Sequence, residues 1–187
     1  MGEDKALKPF LGRPLVQRVI ERLRPIADEL IMTTNRPEDY ASFNLPLFTD
    51  LKPGRGALGG LYTALYSAKH PVVAVAACDM PFANAELFKA ASEIMVKEGA
   101  DVVISKTEAG YEPFHAVYLR ETCIPAIESA IDSDQLRVNG WFSQVKMRLL
   151  TPDEIRRYDP NGLAFLNINT PEELAQAEQQ AQEFPHL

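Results

Sequence analysis

The chain has 187 residues, 46% of them hydrophobic, and a formal net charge of −7, which suits one globular domain with its own core. The acidic balance argues against a nucleic-acid surface, and no apolar run has the length of a membrane span or the form of a secretory signal. Cys78 and Cys123 lie far apart, form no metal or redox spacing, and point to a reducing, cytoplasmic setting.

The chain opens on "MGEDKALKPFLGRPLV", where Asp4 and Lys5 crowd the first residues. Leu15, Val16, Val19, Ile20 and Leu23 then repeat at helical spacing until Pro25 ends the run. Two short apolar stretches follow, "ELIMTT" at 29–34 and "PLFTD" at 46–50, with the turn "NRPEDY" between them. Residues 58–68, "LGGLYTALYSA", read as a helix despite their glycines. "VVAVAAC" at 72–78 is apolar throughout, the pattern of a strand buried on both faces. Asn84 as cap and Gly99 as stop bracket a helix, and "DVVIS" at 101–105 is again a strand. Beyond Lys106 the pattern predicts strands at 114–119 and 146–150 and helices near 120–131 and 135–144. In the last segment Thr170, Pro171 and Glu173 form the start of a capped helix. Alternating strands and helices predict an α/β fold with a mostly parallel central sheet and helices on both faces.

Three stretches could carry chemistry. Asp79 follows the apolar strand at its carboxyl end, where open α/β sheets bind ligands; it is a metal ligand or the cap of a turn. "PGRGALGGL" at 53–61 places four glycines ahead of a helix, which suits either close approach to a phosphate or tight packing. Asn167 and Asn169 are two apart and share a face of an extended chain, or belong to the turn into the last helix. Cys78 reads as core, and His115 as structural, because no Ser-His-Asp or Cys-His set is present.

Together "MGEDKAL", "GRPLVQRVIERL", "NRPEDY", "TDLKPGRGALGGLYTAL", "CDMPF", "EPFHAVY" and "NINTPEEL" resemble the molybdenum cofactor guanylyltransferases over nearly the whole chain. The resemblance implies one nucleotidyltransferase domain over residues 1–187, Rossmann-like. It also implies transfer of GMP from GTP to molybdopterin cofactor, with release of pyrophosphate and with magnesium as cofactor. Lys5 would contact the triphosphate as a catalytic residue, Asn35 and Asp50 would bind the nucleotide, and Asp79 would ligate magnesium. Asn167 and Asn169 would lie on the pterin side. Arg13 or Arg55 would add positive charge. In "GRGALGG", Ala57 stands where the family commonly has proline and Gly59 where it has alanine. The family signature L-A-G-G-x-S-x-R-M-G-x-D-K is represented only by its end, so the resemblance implies a form truncated at its N-terminus relative to the family: either Met1 is an internal methionine taken as the start, or the short form is natural and catalytically weakened. The expected state is a monomer in transient contact with other cofactor-biosynthesis proteins. A cytidylyl or sugar-phosphate nucleotidyltransferase, and a non-catalytic molybdopterin-binding chaperone, are the competing readings.

Overall fold

The computed structural model describes residues 4–184. Its first elements are a small antiparallel hairpin, β1 (Pro9–Phe10) and β2 (Arg13–Pro14). Leu11 and Gly12 turn it with φ of 49° and 80°. Helix α1 (Leu15–Leu23) follows at once and buries Leu15, Val16, Val19 and Ile20, the face that its spacing predicts. Strands β3 (Met32–Thr33) and β4 (Leu47–Phe48) pair in parallel, and the short helix α2 (Pro37–Tyr40) occupies the connection read as a turn.

Helix α3 (Gly56–Ser67) leads to β5 (Val72–Ala76), and α4 (Ala85–Glu98) to β6 (Val102–Thr107). Next come β7 (Gly110–Leu119), α5 (Arg120–Asp132) and β8 (Met147–Leu149). Helices α6 (Pro152–Tyr158) and α7 (Pro171–Glu183) complete the fold. The main sheet has the order β5-β7-β6-β8.

That sheet is mixed. β7 pairs antiparallel with both β5 and β6, while β6 and β8 are parallel, so β5, β6 and β8 run one way and β7 runs against them. Only Glu108 and Ala109 separate β6 from β7. A parallel connection needs a crossover of a dozen residues or more, so a link this short forces a hairpin.

Residues alternate cleanly across the sheet. Val102, Ile104, Ala116 and Tyr118 pack toward α3 and α5, and Val103 and Val117 toward α4 and Val19 of α1. Helices therefore cover both faces, as expected. The helix expected near 135–144 does not form beyond one 3-10 turn at Phe142–Gln144. Asp134 takes a φ of 57°, and the Gly140 N–H donates to the Arg137 carbonyl at 2.9 Å. The resulting turns drive Trp141 and Phe142 under the α3–α5 layer.

β5 is the element that departs furthest from its pattern. Val75 is buried, but Val72, Val73, Ala76 and Ala77 are half-buried, and Ala74 and Cys78 are exposed. The reason is an edge: among the described residues β5 pairs with β7 alone and β3 with β4 alone. Between these two free edges lies a cavity of about 1060 Å³ lined by β5, β3, α1 and α3.

Both late helices start with a capping box. Thr151 with Glu154 and Thr170 with Glu173 each satisfy backbone N–H groups reciprocally. The Glu173 carboxylate also accepts the Asn169 N–H at 2.6 Å. Thr170→Ala is therefore expected to cost about 1 kcal/mol and to lower the thermal midpoint by about 2–4 °C. An unchanged midpoint in a calorimetric scan would show that the cap contributes nothing.

Candidate active site

Asp79 lies just past the carboxyl end of β5. Burial raises its carboxyl pKa above the ordinary value, and the nearby Lys5 ammonium partly counters this. Its carbonyl accepts the Ile168 N–H at 3.0 Å, which fastens the 167–169 segment beside it. Lys5 donates from Nζ to Asn169 Oδ1 at 3.1 Å. Lys5 and Asn169, from opposite ends of the chain, therefore meet beside Asp79, and Asn167 lines the same cavity as Asp79 and Asn169.

Asn35 and Asp50 form a second group, past the ends of β3 and β4. Asn35 donates from Nδ2 to Asp50 Oδ2 at 2.8 Å, and the Asp50 N–H donates to Asn35 Oδ1 at 3.0 Å. The two groups are linked by Asp4. Its carboxylate accepts the Tyr40 hydroxyl at 2.7 Å and a guanidinium N–H of Arg36. Although burial acts against it, hydrogen bonds from Tyr40, Arg36 and the Ala6 amide hold the Asp4 carboxyl below its ordinary pKa. Sequence reasoning noted Asp4 beside Lys5 without giving it a role, and did not single out Arg36 or Tyr40. The signal available was the pair of polar clusters "GEDK" and "NRPEDY", which says nothing about their meeting in space.

The segment after Asp79 is held from several sides. Arg18 Nε donates to the Pro81 carbonyl at 3.1 Å and Arg22 Nε to the Ala83 carbonyl at 2.7 Å. The Asn84 N–H donates to His115 Nε2 at 3.0 Å, and Asn84 Nδ2 to the Tyr158 carbonyl at 2.8 Å. Asp159 is buried and accepts the N–H groups of Leu163 and Ala164 at 3.1 and 2.9 Å. His115 has a structural place here, stacked on Phe88 with ring centroids 4.1 Å apart.

The arginines expected to add charge are engaged elsewhere: Arg13 pairs with Glu21 at 3.2 Å and Arg55 with Asp134 at 2.7 Å. In the glycine-rich segment, Gly54 and Gly56 take φ of 77° and 54°. Gly59 is held by packing, because a Cβ there would lie 2.9 Å from the Lys52 carbonyl oxygen. Cys78, expected in the core, is exposed.

Among the described residues no cluster of three or more His, Cys, Asp or Glu side chains could cage a metal. The donor set is a single desolvated carboxylate with a lysine and an asparagine beside it. Such a set suits a magnesium ion held mostly by substrate phosphates, the usual arrangement for that ion, and does not suit a resident all-protein site. Among the described residues no helix is long and apolar enough to cross a membrane.

Residues 1–146 match the family described as the MobA-like NTP transferase domain. The chain is 36% identical over 188 residues to a probable molybdenum cofactor guanylyltransferase of Peptoclostridium acidaminophilum, covering 98% of this chain and 85% of that protein. It is 33% identical over 177 residues to the molybdenum cofactor guanylyltransferase of Desulfosudis oleivorans, covering 95% and 87%. The fold matches the crystal structure of molybdopterin-guanine dinucleotide biosynthesis protein A from Archaeoglobus fulgidus, with a TM-score of 0.85 and 25% identity over 97% of this chain and 92% of that one.

Proposed function

We propose, from the premise that this chain belongs to the MobA-like NTP transferase family and is a nucleotidyltransferase, that it transfers GMP from GTP to molybdopterin cofactor. The products are the guanine dinucleotide form of the cofactor and pyrophosphate. The observation that carries this reading is the convergence of Lys5, Asp79 and Asn169 at the carboxyl end of β5.

The nucleophile is the terminal phosphate of the pterin, whose second pKa is ~6, so it is mostly ionised at neutral pH. No general base is needed. The barrier lies in bringing two polyanions together in line, and catalysis is positioning plus charge. Lys5 sets an ammonium against the triphosphate while Asn169 holds its Nζ in place. Asp79 would hold the magnesium ion, which supplies charge neutralisation on phosphate oxygens when bound. Asn35 and Asp50, locked together by two hydrogen bonds, form a rigid arm for the nucleoside.

The reading is tested by supplying GTP or CTP with molybdopterin cofactor and magnesium, and measuring pyrophosphate and the dinucleotide product. GTP turnover is expected; faster CTP turnover would assign the chain to cytidylyl transfer, and pterin retention with neither nucleotide turned over would make it a binding protein.

The two asparagines divide in this reading. Asn167→Ala removes one hydrogen-bonding group on the pterin side and is expected to raise the KM for pterin about tenfold, the worth of one good hydrogen bond. The KM for GTP should hold. Asn169→Ala also frees Lys5 and should weaken both substrates. Steady-state kinetics that show GTP affinity falling equally in both variants, with pterin affinity intact, would reverse the orientation of the cleft.

A further inference from the structure

Asp4 carries a charge that the transfer reaction does not use. It precedes Lys5 directly and lies against the start of α2, where Asn35 and Arg36 follow β3. It is also within electrostatic reach of Cys78, the neighbour of Asp79. A carboxylate this close to a polyanion opposes binding unless its charge is cancelled. Both of its oxygens are in use. Oδ1 accepts the Ala6 N–H at 3.1 Å and caps the 3-10 turn Lys5–Leu7. Oδ2 accepts the Tyr40 hydroxyl at 2.7 Å and a guanidinium N–H of Arg36. Arg36 supplies the cancelling charge, and with three donors on it the carboxylate is committed to the protein rather than offered to a metal ion.

The three donors come from the two elements that carry the two halves of the site. Ala6 belongs to the turn that begins with Lys5, whose Nζ reaches Asn169. Arg36 is the N-cap of α2, with its own N–H held by Thr34 Oγ1 at 3.1 Å, and Tyr40 is the last residue of that helix. Asn35 is thereby fixed between Thr34 and Arg36, with Asp50 locked to it. Ala6 and Tyr40 are buried in one small apolar cluster with Val16 and Ile20, which brings the turn and α2 together. Apolar contact has no direction, so the orientation of one against the other is set by the hydrogen bonds on Asp4, and a carboxylate that accepts from a guanidinium makes a strong one.

We propose that Asp4 is a positioning residue of the transfer reaction: it clasps the Lys5 turn to α2 and so sets the span between the Lys5 ammonium and the Asn35–Asp50 pair. This role rests on the reading that Lys5 takes the phosphates of a nucleotide and the Asn35–Asp50 pair its nucleoside. A fixed span lets one nucleotide reach both at once. Breaking the clasp leaves each half of the site able to bind its own half of the ligand. It weakens only a ligand that must span both, because the second contact loses effective concentration.

The test uses Asp4→Asn and Tyr40→Phe in the full chain, with Lys5→Ala alone and combined with Asp4→Asn. Asparagine caps a turn as well as aspartate does, and Arg36 keeps Asp39 at 3.3 Å as a second partner. Phenylalanine keeps the buried ring of Tyr40, so this variant carries the same test if Asp4→Asn loses its fold. Binding of GTP, guanosine and inorganic triphosphate is measured by calorimetry, and turnover by pyrophosphate release. Asp4→Asn is expected to weaken GTP about tenfold and to lower kcat about ten- to a hundredfold. Guanosine and inorganic triphosphate should each stay within about twofold of the parent. Tyr40→Phe, which removes one donor of three, should weaken GTP about threefold. In the Lys5→Ala background Asp4→Asn should change turnover by no more than about twofold, as expected of residues that act through one another. Equal losses for GTP, guanosine and triphosphate, or losses that multiply in the double variant, overturn the proposal and leave Asp4 a stabilising cap. Tighter GTP binding by Asp4→Asn also overturns it, by making the carboxylate a repulsive group. GTP binding that Lys5→Ala weakens and neither Asp4→Asn nor Tyr40→Phe alters overturns the proposal alone. GTP binding and turnover unmoved by Lys5→Ala overturn the reading of the site, and the role of Asp4 falls with it.

Discussion

Asp79→Asn is expected to leave the fold intact and to lower turnover on the order of 100-fold, the usual cost of removing a preorganised charge from a polar transition state. The fold should survive because the backbone of Asp79, through its carbonyl, fastens Ile168; the side chain is not needed for that bond. Asparagine keeps the size of the side chain and loses the charge. Among the described residues no cluster of acidic or metal-ligating groups stands by to replace it, and magnesium gives up its waters reluctantly to a neutral ligand. Circular dichroism should be unchanged, and turnover should stay low at saturating magnesium. Because burial raises the Asp79 pKa in the metal-free protein, protons should compete with magnesium there, so the magnesium needed for half-maximal activity of the parent should climb on acidification earlier than an ordinary aspartate would dictate. The variant's magnesium requirement should lack that climb. Near-normal turnover with excess magnesium would remove Asp79 from the metal site.

The second large effect concerns stability. His115 is buried, and burial lowers its pKa from 6.5 to about 4, with the nearby positive Arg22 acting in the same direction. Its Nε2 accepts the Asn84 N–H, so a proton on that nitrogen would break the bond. Below pH 6.5 the unfolded chain binds this proton and the native protein does not until about pH 4. The contribution of the neutral imidazole is therefore complete above about pH 6.5 and is lost as the pH falls toward 4. The loss is about 3 kcal/mol over that window, a sizeable part of the roughly 5–15 kcal/mol that holds a domain together. Urea unfolding at a series of pH values, with His115→Gln alongside, isolates this contribution: the parent should lose about 3 kcal/mol more than the variant between pH 6.5 and 4. Parallel profiles would mean that His115 titrates alike in both states. The consequence reaches the site, because the His115–Asn84 bond anchors the segment that begins at Asp79.

Elements defined by local spacing were legible. The apolar face of α1, the Asn84 cap and Gly99 stop of α4, and the capping box of α7 each lie within a few residues of sequence, and each formed as read. The Thr151–Glu154 box of α6 has the same signature and was readable by the same rule, although it was not singled out. The helix expected near 135–144 failed because an apolar pair, Trp141 and Phe142, fits a packed turn as well as a helix face. Burial beneath α3 and α5 decided between them.

The site divides along the same line. By itself the sequence determined which residue types stand at strand and helix ends, so Asp79, Asn167 and Asn169 could be named from position, while Lys5, Asn35 and Asp50 were named from the family resemblance. Only the tertiary structure decided which of them meet. Lys5 and Asn169 are 164 positions apart, and no local pattern encodes a contact over that distance. It also decided that Asp4, through Arg36 and Tyr40, joins the Lys5 and Asn35 groups. The exposure of β5 belongs here too. An apolar strand carries its hydrophobicity in its own residues, but its burial depends on neighbours along both edges, and here one edge faces a cavity.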